Sequence, residues 1–349
     1  MKTLKPPTIR DVALRAGVAE STVSRVLTGA ATPIAISEDT RQRVLRSARE
    51  LAYRAHPGAR ALRGKGTNLL GVIVRESDDP FFSQFIDALG NAAKAEGYEL
   101  ALGYAGNDPR LALALSETLD LRFCDGLLLL GDLRESPEDH SYLSQMGEQL
   151  PLILACRGSR QLVGANPSVD INNRQGAMLA LDHLARLGHR RIAFIGAARL
   201  GDLLERGDAY SEFMAGRKDG GAPNEYFQLG DNSLEGGYRL MARLLALPVP
   251  PSAVFAADDM MAIGALKAAA VGGWAVPGDL SVVGFDDIKV AAYLNPSLTT
   301  VHQPIDELAC KSIELLLAFI RTKAAPEPTP HLILEPSLVV RESSAAPRS

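Results

Sequence analysis

Apolar positions along this chain follow two different periods, and the change from one to the other marks its organisation. Near the N-terminus Ile9, Val12, Ala13 and Ala16 fall at i, i+3, i+4 and i+7, the spacing that lines one face of a helix. Thr8-Ile9-Arg10-Asp11 has the form of a capping box at the start of that stripe, and Gly17 supplies the left-handed residue that ends it. A second short helix is predicted from Glu20 to Leu27, with Val23, Val26 and Leu27 inward and Glu20, Ser21, Thr22, Ser24 and Arg25 outward. A third, capped by Ser37, is expected to bury Val44, Leu45, Ala48, Leu51 and Ala52. Two short helices around a tight glycine turn make a helix-turn-helix.

From Asn68 the pattern changes to short apolar runs separated by amphipathic stretches. Leu69–Val74, Tyr98–Leu102, Gly126–Leu130, Leu152–Leu154, Arg191–Ile195, Ala253–Ala256 and Ser281–Phe285 read as buried parallel strands. Helical patterns over Phe81–Glu96 and Leu111–Phe123 lie between the early ones. Strand and helix alternate over two successive sets, so the predicted fold class is α/β: an all-α helix-turn-helix head plus two doubly wound α/β subdomains. Ligands of such sheets bind beyond the carboxyl ends of the strands, here the cleft between the two halves.

Charge sharpens this division. Residues 1–66 hold 13 Lys/Arg against 5 Asp/Glu, leaving 24 against 36 for the rest, so the total of −4 separates into +8 and −12. Only the head is suited to a polyanion, and its helix pattern says how. The N-terminal part of the second helix fits the major groove, so Glu20, Ser21 and Arg25 are the candidates for reading base edges. Arg25 suits a guanine, Glu20 a cytosine amine and Ser21 either; Thr8, Thr22, Ser24 and Arg41 suit phosphates. A three-helix protein-binding module is the alternative reading of the same surface.

Other chemistry is thinly represented. Cys124, Cys156 and Cys310 lack CxxC spacing, which suggests neither a disulfide framework nor a zinc site. The chain carries no GxGxxG after a strand, no GxxxxGK[ST], no GxSxG and no HExxH, so neither an enzyme nor a cofactor is expected. No apolar run of membrane-spanning length and no signal-peptide pattern is present, and the expected location is the cytoplasm, without a membrane partner. A secreted solute-binding protein, the other rival, has no use for a basic head.

TIRDVALRAGVAESTVSRVLTG, followed by SEDTRQRVLRSARELAYR, resembles the DNA-binding head of the lactose repressor (LacI/GalR) family. The loop Gly29–Ile36 is a few residues longer than that pattern. The resemblance continues through DPFFSQFIDALGNAAKAEGYEL, VDINNRQGAMLALDHLARLGHRRIAFIG, SAVFAADDMMAIGALKAA and DLSVVGFDDIKVAAYLNPSLTTVHQP, so nearly the whole chain is covered. It implies a DNA-binding domain over 1–55, a hinge over 56–67 and an effector-binding, dimerising domain over 68–349, similar in fold to periplasmic sugar-binding proteins. The chain would cross between subdomains near Ser168, Pro296 and His331. That makes one subdomain of about 68–168 with 297–331 and another of about 169–296 with 332–341.

Carried over by position, the resemblance implies a hinge in which His56, Ala59, Arg60 and Leu62 meet the minor groove, Leu62 as a wedge. His56 stands where asparagine is common, and Gly58 weakens a helix there by about 1 kcal/mol relative to alanine. A flexible basic linker is the alternative. The implied effector residues are Asp79, Phe81, Phe82, Asn107 and Arg157 from one half, with Arg206, Asn232, Asp258 and Asp286 from the other. Phe81 and Phe82 admit a second reading as core, and Asp258 with Asp259 as a helix cap and first-turn charge. Asn232 replaces an aromatic that several members stack on their ligand, which argues against a purine. Asp258 stands where asparagine is common and Cys156 where aspartate often precedes the arginine; extra acceptors at Asp79, Asp258 and Asp286 favour hydroxyl-rich or cationic ligands. The implied partners are a double-stranded operator, a carbohydrate effector and a second copy of the chain.

Overall fold

The structure, a computed structural model, describes residues 7–28, 36–53, 66–75, 79–106, 108–119, 124–132, 141–158, 166–197, 201–217, 224–322, 324 and 327–348. The hinge residues His56, Ala59, Arg60 and Leu62, the loop 29–35 and Asn107 lie outside these. Two compact units are formed, residues 1–67 and 68–349.

In the first unit α1 (Ile9–Ala16), α2 (Glu20–Thr28) and α3 (Glu38–Glu50) enclose a small core built on Val12, Val23 and Val44. The capping box forms as its sequence requires: the Thr8 hydroxyl accepts from the Asp11 amide at 3.4 Å, and the Asp11 carboxylate accepts from the Thr8 amide at 2.7 Å. Gly17 closes α1 at φ 65°. One core assignment is corrected. Ala52 is exposed, because the chain turns left-handed there (φ 50°) after α3, and the half-buried Tyr53 packs on the core in its place. The Tyr53 amide donates to the Ala48 carbonyl at 2.9 Å, which fixes this turn.

The second unit contains two six-stranded sheets. The first takes β1 (Leu69–Val74), β2 (Glu99–Tyr104), β3 (Gly126–Leu130), β4 (Leu152–Ala155), β5 (Ser168–Ile171) and, from far along the chain, His331–Leu334, in the order His331–Leu334, β5, β4, β3, β1, β2, all parallel. Helices α4 (Pro80–Ala95), α5 (Pro109–Thr118) and α6 (Ser141–Gln149) connect them. The second half begins with α7 (Asn173–Arg186), β6 (Ile192–Ala197), α8 (Gly201–Ala215), β7 (Phe227–Gly230), α9 (Leu234–Leu245), β8 (Ala253–Ala256), α10 (Asp259–Val271) and β9 (Ser281–Asp286). It continues with β10 (Thr299–His302), after which α11 (Ile305–Thr322) and β11 (His331–Leu334) belong to the first half and β12 (Ser337–Val339) to the second. The second sheet runs β12, β10, β9, β8, β6, β7, with β12 alone antiparallel to its neighbour.

This pairing moves all three crossings toward the C-terminus of their expected positions. Ser168–Ile171 is still hydrogen-bonded into the first sheet beside β4, so the chain leaves after Ile171, not at Ser168. Thr299–His302 pairs with β9, so the second crossing follows His302, not Pro296. Leu332–Leu334 remain paired with β5, so the third lies at Glu335 and Pro336, not at His331. In each case a backbone ladder holds the strand in the sheet it was expected to have left. β1 is completely enclosed apart from its first residue, as a strand covered on both faces must be. The observed α5 ends at Thr118, short of the expected Phe123. Beyond β12 the tail straps the second half, with the Ser343 hydroxyl donating to the Val282 carbonyl at 2.6 Å and the Ala345 amide to the Ser281 hydroxyl at 3.0 Å.

Candidate functional site

On the head, the structure leaves Glu20, Ser21 and Arg25 exposed at the start of α2, with Thr22 and Ser24 half-buried. Ser21 and Arg25 are four residues apart and share a helix face, as do Glu20 and Ser24. Ala19 has no side chain to accept the first amides of α2, so that helix start is open to an external acceptor. Thr8 and Arg41 are exposed. The Thr8 hydroxyl already donates to the Asp11 carboxylate at 2.7 Å, so its proton is committed within the cap.

In the second unit a cavity with about 380 Å³ of unfilled space, mouth included, lies between the two halves. Seven of the residues expected there line it: Asp79, Phe81, Phe82, Arg206, Asn232, Asp258 and Asp286. The two readings of the ambiguous residues are compatible in geometry. Phe81 and Phe82 belong to the core cluster while presenting to the cavity. Asp258 caps α10 by accepting the Met261 amide at 2.7 Å, as Asp79 caps α4 by accepting the Phe81 amide at 2.8 Å. The two caps come from opposite halves, so both helix N-termini point their positive ends toward the cleft.

Arg206 is the hub. Its Nε donates to the Asn173 Oδ1 at 3.0 Å, and its Nη1 to the Ala257 carbonyl at 2.6 Å and the Asp286 Oδ1 at 3.3 Å. Its guanidinium lies 3.6 Å from the centre of the Phe285 ring, and its Nη2 is 3.8 Å from the Asp202 Oδ2. Gln303 completes the group by donating to the Asp286 Oδ1 at 2.6 Å. Asn173 follows the first crossing and Gln303 the second, so the polar centre of the cleft is bonded to two of the three segments that join the halves. Asp286 sits at φ 112°, a backbone region costly for any side chain but glycine, as functional positions tend to be.

Arg157 does not line the cavity. Its guanidinium pairs with buried Asp132 at 3.3 Å, while its amide and that of Gly158 donate to the Asp170 carboxylate at 2.6 and 3.1 Å. Cys156, with φ 56°, takes the place at the cavity wall. Sequence reading missed Arg75, Asn173, Asp202 and Gln303. Asn173 and Gln303 fall inside the quoted segments VDINNRQG and TTVHQP, and their role became visible only once those segments proved to be crossings. Arg75, which directly follows β1 and lies 2% exposed over the Phe82 ring, was hidden by reading that segment only for its apolar run.

Burial governs the electrostatics. It pushes the carboxyls of Asp79 and Asp286 up, Asp286 strongly, against the opposing pull of Arg206. Behind them Asp259, wholly enclosed, is pushed up to about 8 by burial despite accepting from the Thr300 hydroxyl at 2.5 Å and the Ile288 amide at 2.9 Å. A carboxyl whose folded pKa is raised holds its proton in the native chain longer than in the unfolded one. Stability therefore falls as pH rises from about 4 to about 8. Asp259→Asn, which keeps one acceptor and one donor for the same neighbours, is expected to flatten that decline. Urea midpoints at pH 5 and 8.5, followed by the fluorescence of Trp274, the single tryptophan, measure it; an unchanged slope would mean Asp259 is ionised in the fold.

A helix-turn-helix head on a chain whose larger part is two wound sheets around a polar cleft defines a ligand-sensing transcriptional regulator. Comparison with known proteins agrees at both ends: residues 8–56 match the model for bacterial regulatory proteins of the lacI family, and residues 181–344 match a periplasmic binding protein-like domain. The HTH-type transcriptional repressor PurR of Erwinia tasmaniensis is 34% identical over 343 residues, 97% of each chain. The HTH-type transcriptional repressor CytR of Escherichia coli K12 is 35% identical over 312 residues, 89% of each. Among solved structures, the lac repressor dimer bound to operator and the anti-inducer ONPF superposes with a TM-score of 0.83 at 27% identity, covering 98% of this chain and all of that one. A complex of the regulator CelR with cellobiose gives 0.70 at 30% identity, covering 97% of this chain and all of that one. The chain belongs to the LacI family of bacterial regulatory proteins.

Proposed function

We propose that the chain is a cytoplasmic repressor that binds a pseudopalindromic operator as a homodimer and is switched by a carbohydrate held in the cleft of residues 68–349. The observation that carries this reading is the Arg206–Asp286 pair, which faces the cavity and is hydrogen-bonded to Asn173 and Gln303 beside two of the crossings. A ligand that engages the pair acts on the segments about which the halves move. It shifts the protein between two arrangements by the difference in its affinity for each.

Dimerisation is supported by apolar side chains exposed at the edge strand β2, where Leu102 and Tyr104 are 58% and 52% exposed, and by Tyr293 at 86%. A two-fold pair of heads reads two half-sites, which one head cannot. The assigned roles are base reading for Glu20, Ser21 and Arg25, phosphate contact for Thr22, Ser24 and Arg41, and minor-groove contact for Leu62 in the 56–67 hinge. At Thr8 the phosphate contact falls to the first amides of α1, since the hydroxyl is taken.

Selection from random duplexes, with and without sugars, tests the whole reading: no sequence preference in any condition would end it. Arg25→Ala is expected to lower discrimination at one base pair of each half-site by about 1–3 kcal/mol while leaving the salt dependence nearly unchanged. If the preference is retained and only the overall affinity falls, Arg25 is a phosphate contact.

A further inference from the structure

The composition of the cavity wall is more specific than a sugar site requires. Four carboxylates, of Asp79, Asp202, Asp258 and Asp286, face two guanidiniums, of Arg75 and Arg206. Both cations are already engaged: Arg206 lies 3.3 Å from Asp286 and 3.8 Å from Asp202, and Arg75 lies 3.8 Å from Asp202. Asp79 has its backbone cap but no cation within ion-pair distance among the described residues. Burial already raises the carboxyls of Asp79 and Asp286, so shutting the cleft over a neutral ligand would either leave carboxyls protonated or seal negative charge away from water, whereas a cation would let them ionise.

Two further observations point the same way. The Asp202 Oδ1 and the Asn232 Oδ1 are buried and accept no hydrogen bond among the described residues, so each can take a donor from a ligand. Of the two rings on the cavity wall, Phe82 already has the Arg75 guanidinium over it at 5.1 Å, and Phe81 packs edge-on against Phe82.

We propose that the effector is a small polyhydroxylated cation of the amino-sugar class, its ammonium held by Asp79 and its hydroxyls by Arg206, Asp286 and Asn173. This rests on the reading of the cleft as the effector site and narrows what enters it. An ammonium brings three donors and one positive charge, which is what the wall lacks. Hydroxyl groups suit the guanidinium and amide side chains that remain.

Calorimetric titration of the full chain at pH 7 with matched pairs, glucosamine against glucose and galactosamine against galactose, tests the proposal alongside hypoxanthine and adenosine. The amino sugar of at least one pair is expected to bind 10-fold or more tightly than its neutral partner, with neither purine binding more tightly. Asp79→Asn keeps a competent helix cap and is expected to reduce the preference to under 3-fold. Thermal melting of the variant near that of the parent shows that the loss is not unfolding. Neutral sugars binding as well as their amino partners would overturn the charge argument while leaving a sugar-responsive regulator standing. A tighter purine, or no binding by either amino sugar, would overturn the ligand class. The operator reading is tested separately, by duplex selection without any ligand.

Discussion

Arg206→Ala is expected to destabilise the sensor unit by about 3–5 kcal/mol, the range for removing one partner of a buried ion pair. The guanidinium is 2% exposed and serves the Asn173 amide, the Ala257 carbonyl and two carboxylates, so alanine strips all of them at once. Asp286 is left enclosed with Gln303 as its remaining donor. Its carboxyl, already raised by burial, loses the cation that opposes that rise and goes up further. The native state of the variant then binds a proton that the unfolded chain releases, so the variant's stability falls as pH rises above the usual carboxylate range, over a wider window than the parent's. Urea unfolding followed by Trp274 fluorescence at pH 5 and 7.5 checks both sign and size. The double variant Arg206→Ala with Asp286→Ala is expected to lose less than the two single losses together, since each charge is costly mainly without the other. Additive losses would mean that the two side chains act independently.

The head was legible almost residue by residue, because its signals are local. A capping box, a glycine at the end of α1 and an apolar stripe at helical spacing each act within a turn or two of chain, and Thr8, Gly17 and Val23 do what their positions demand. Ala52 failed because the path after α3 is set by where Tyr53 finds a pocket, a tertiary matter. In the larger unit the strands rich in leucine and valine were evident, whereas β10, with the sequence TTVH, was not. Its hydroxyls look solvent-facing until Asp259 and Ser344 are found to satisfy them, at 2.5 and 2.9 Å. The same blindness displaced the crossings, since short mixed strands such as SVDI carry no period of their own. Of the cleft, Arg206 and the carboxylates of Asp79, Asp258 and Asp286 were found by resemblance, and Asp202 was not. Asn173 and Gln303 were not, because their chemistry depends on lying beside crossings whose positions were read three to six residues early.

Gly264→Ala is expected to cost about 3 kcal/mol or more, at or above the top of the usual range of roughly 1–3 kcal/mol for overpacking. A helix-interior glycine is unfavourable by about 1 kcal/mol relative to alanine, so its presence within α10 needs a reason. The reason is the approach of α9: a methyl on Gly264 would stand 2.1 Å from the Leu234 carbonyl oxygen and 2.6 Å from the Tyr238 nitrogen, and one on Gly237 would stand 2.2 Å from the Met261 carbonyl oxygen. These are backbone atoms, which no rotamer change relieves. The two helices also begin at the cleft, α9 two residues after Asn232 and α10 directly after Asp258. Forcing them apart therefore shifts two cavity residues relative to one another, and effector affinity is expected to fall 10-fold or more along with stability. Gly90→Ala supplies the contrast, since the new methyl would meet only the Leu100 side chain, at 3.9 Å, in the interior of α4. That change is expected to stabilise by about 0.5–1 kcal/mol and to leave ligand binding as it was. Equal behaviour of the two variants would show that backbone proximity between α9 and α10 does not set the geometry of the cleft.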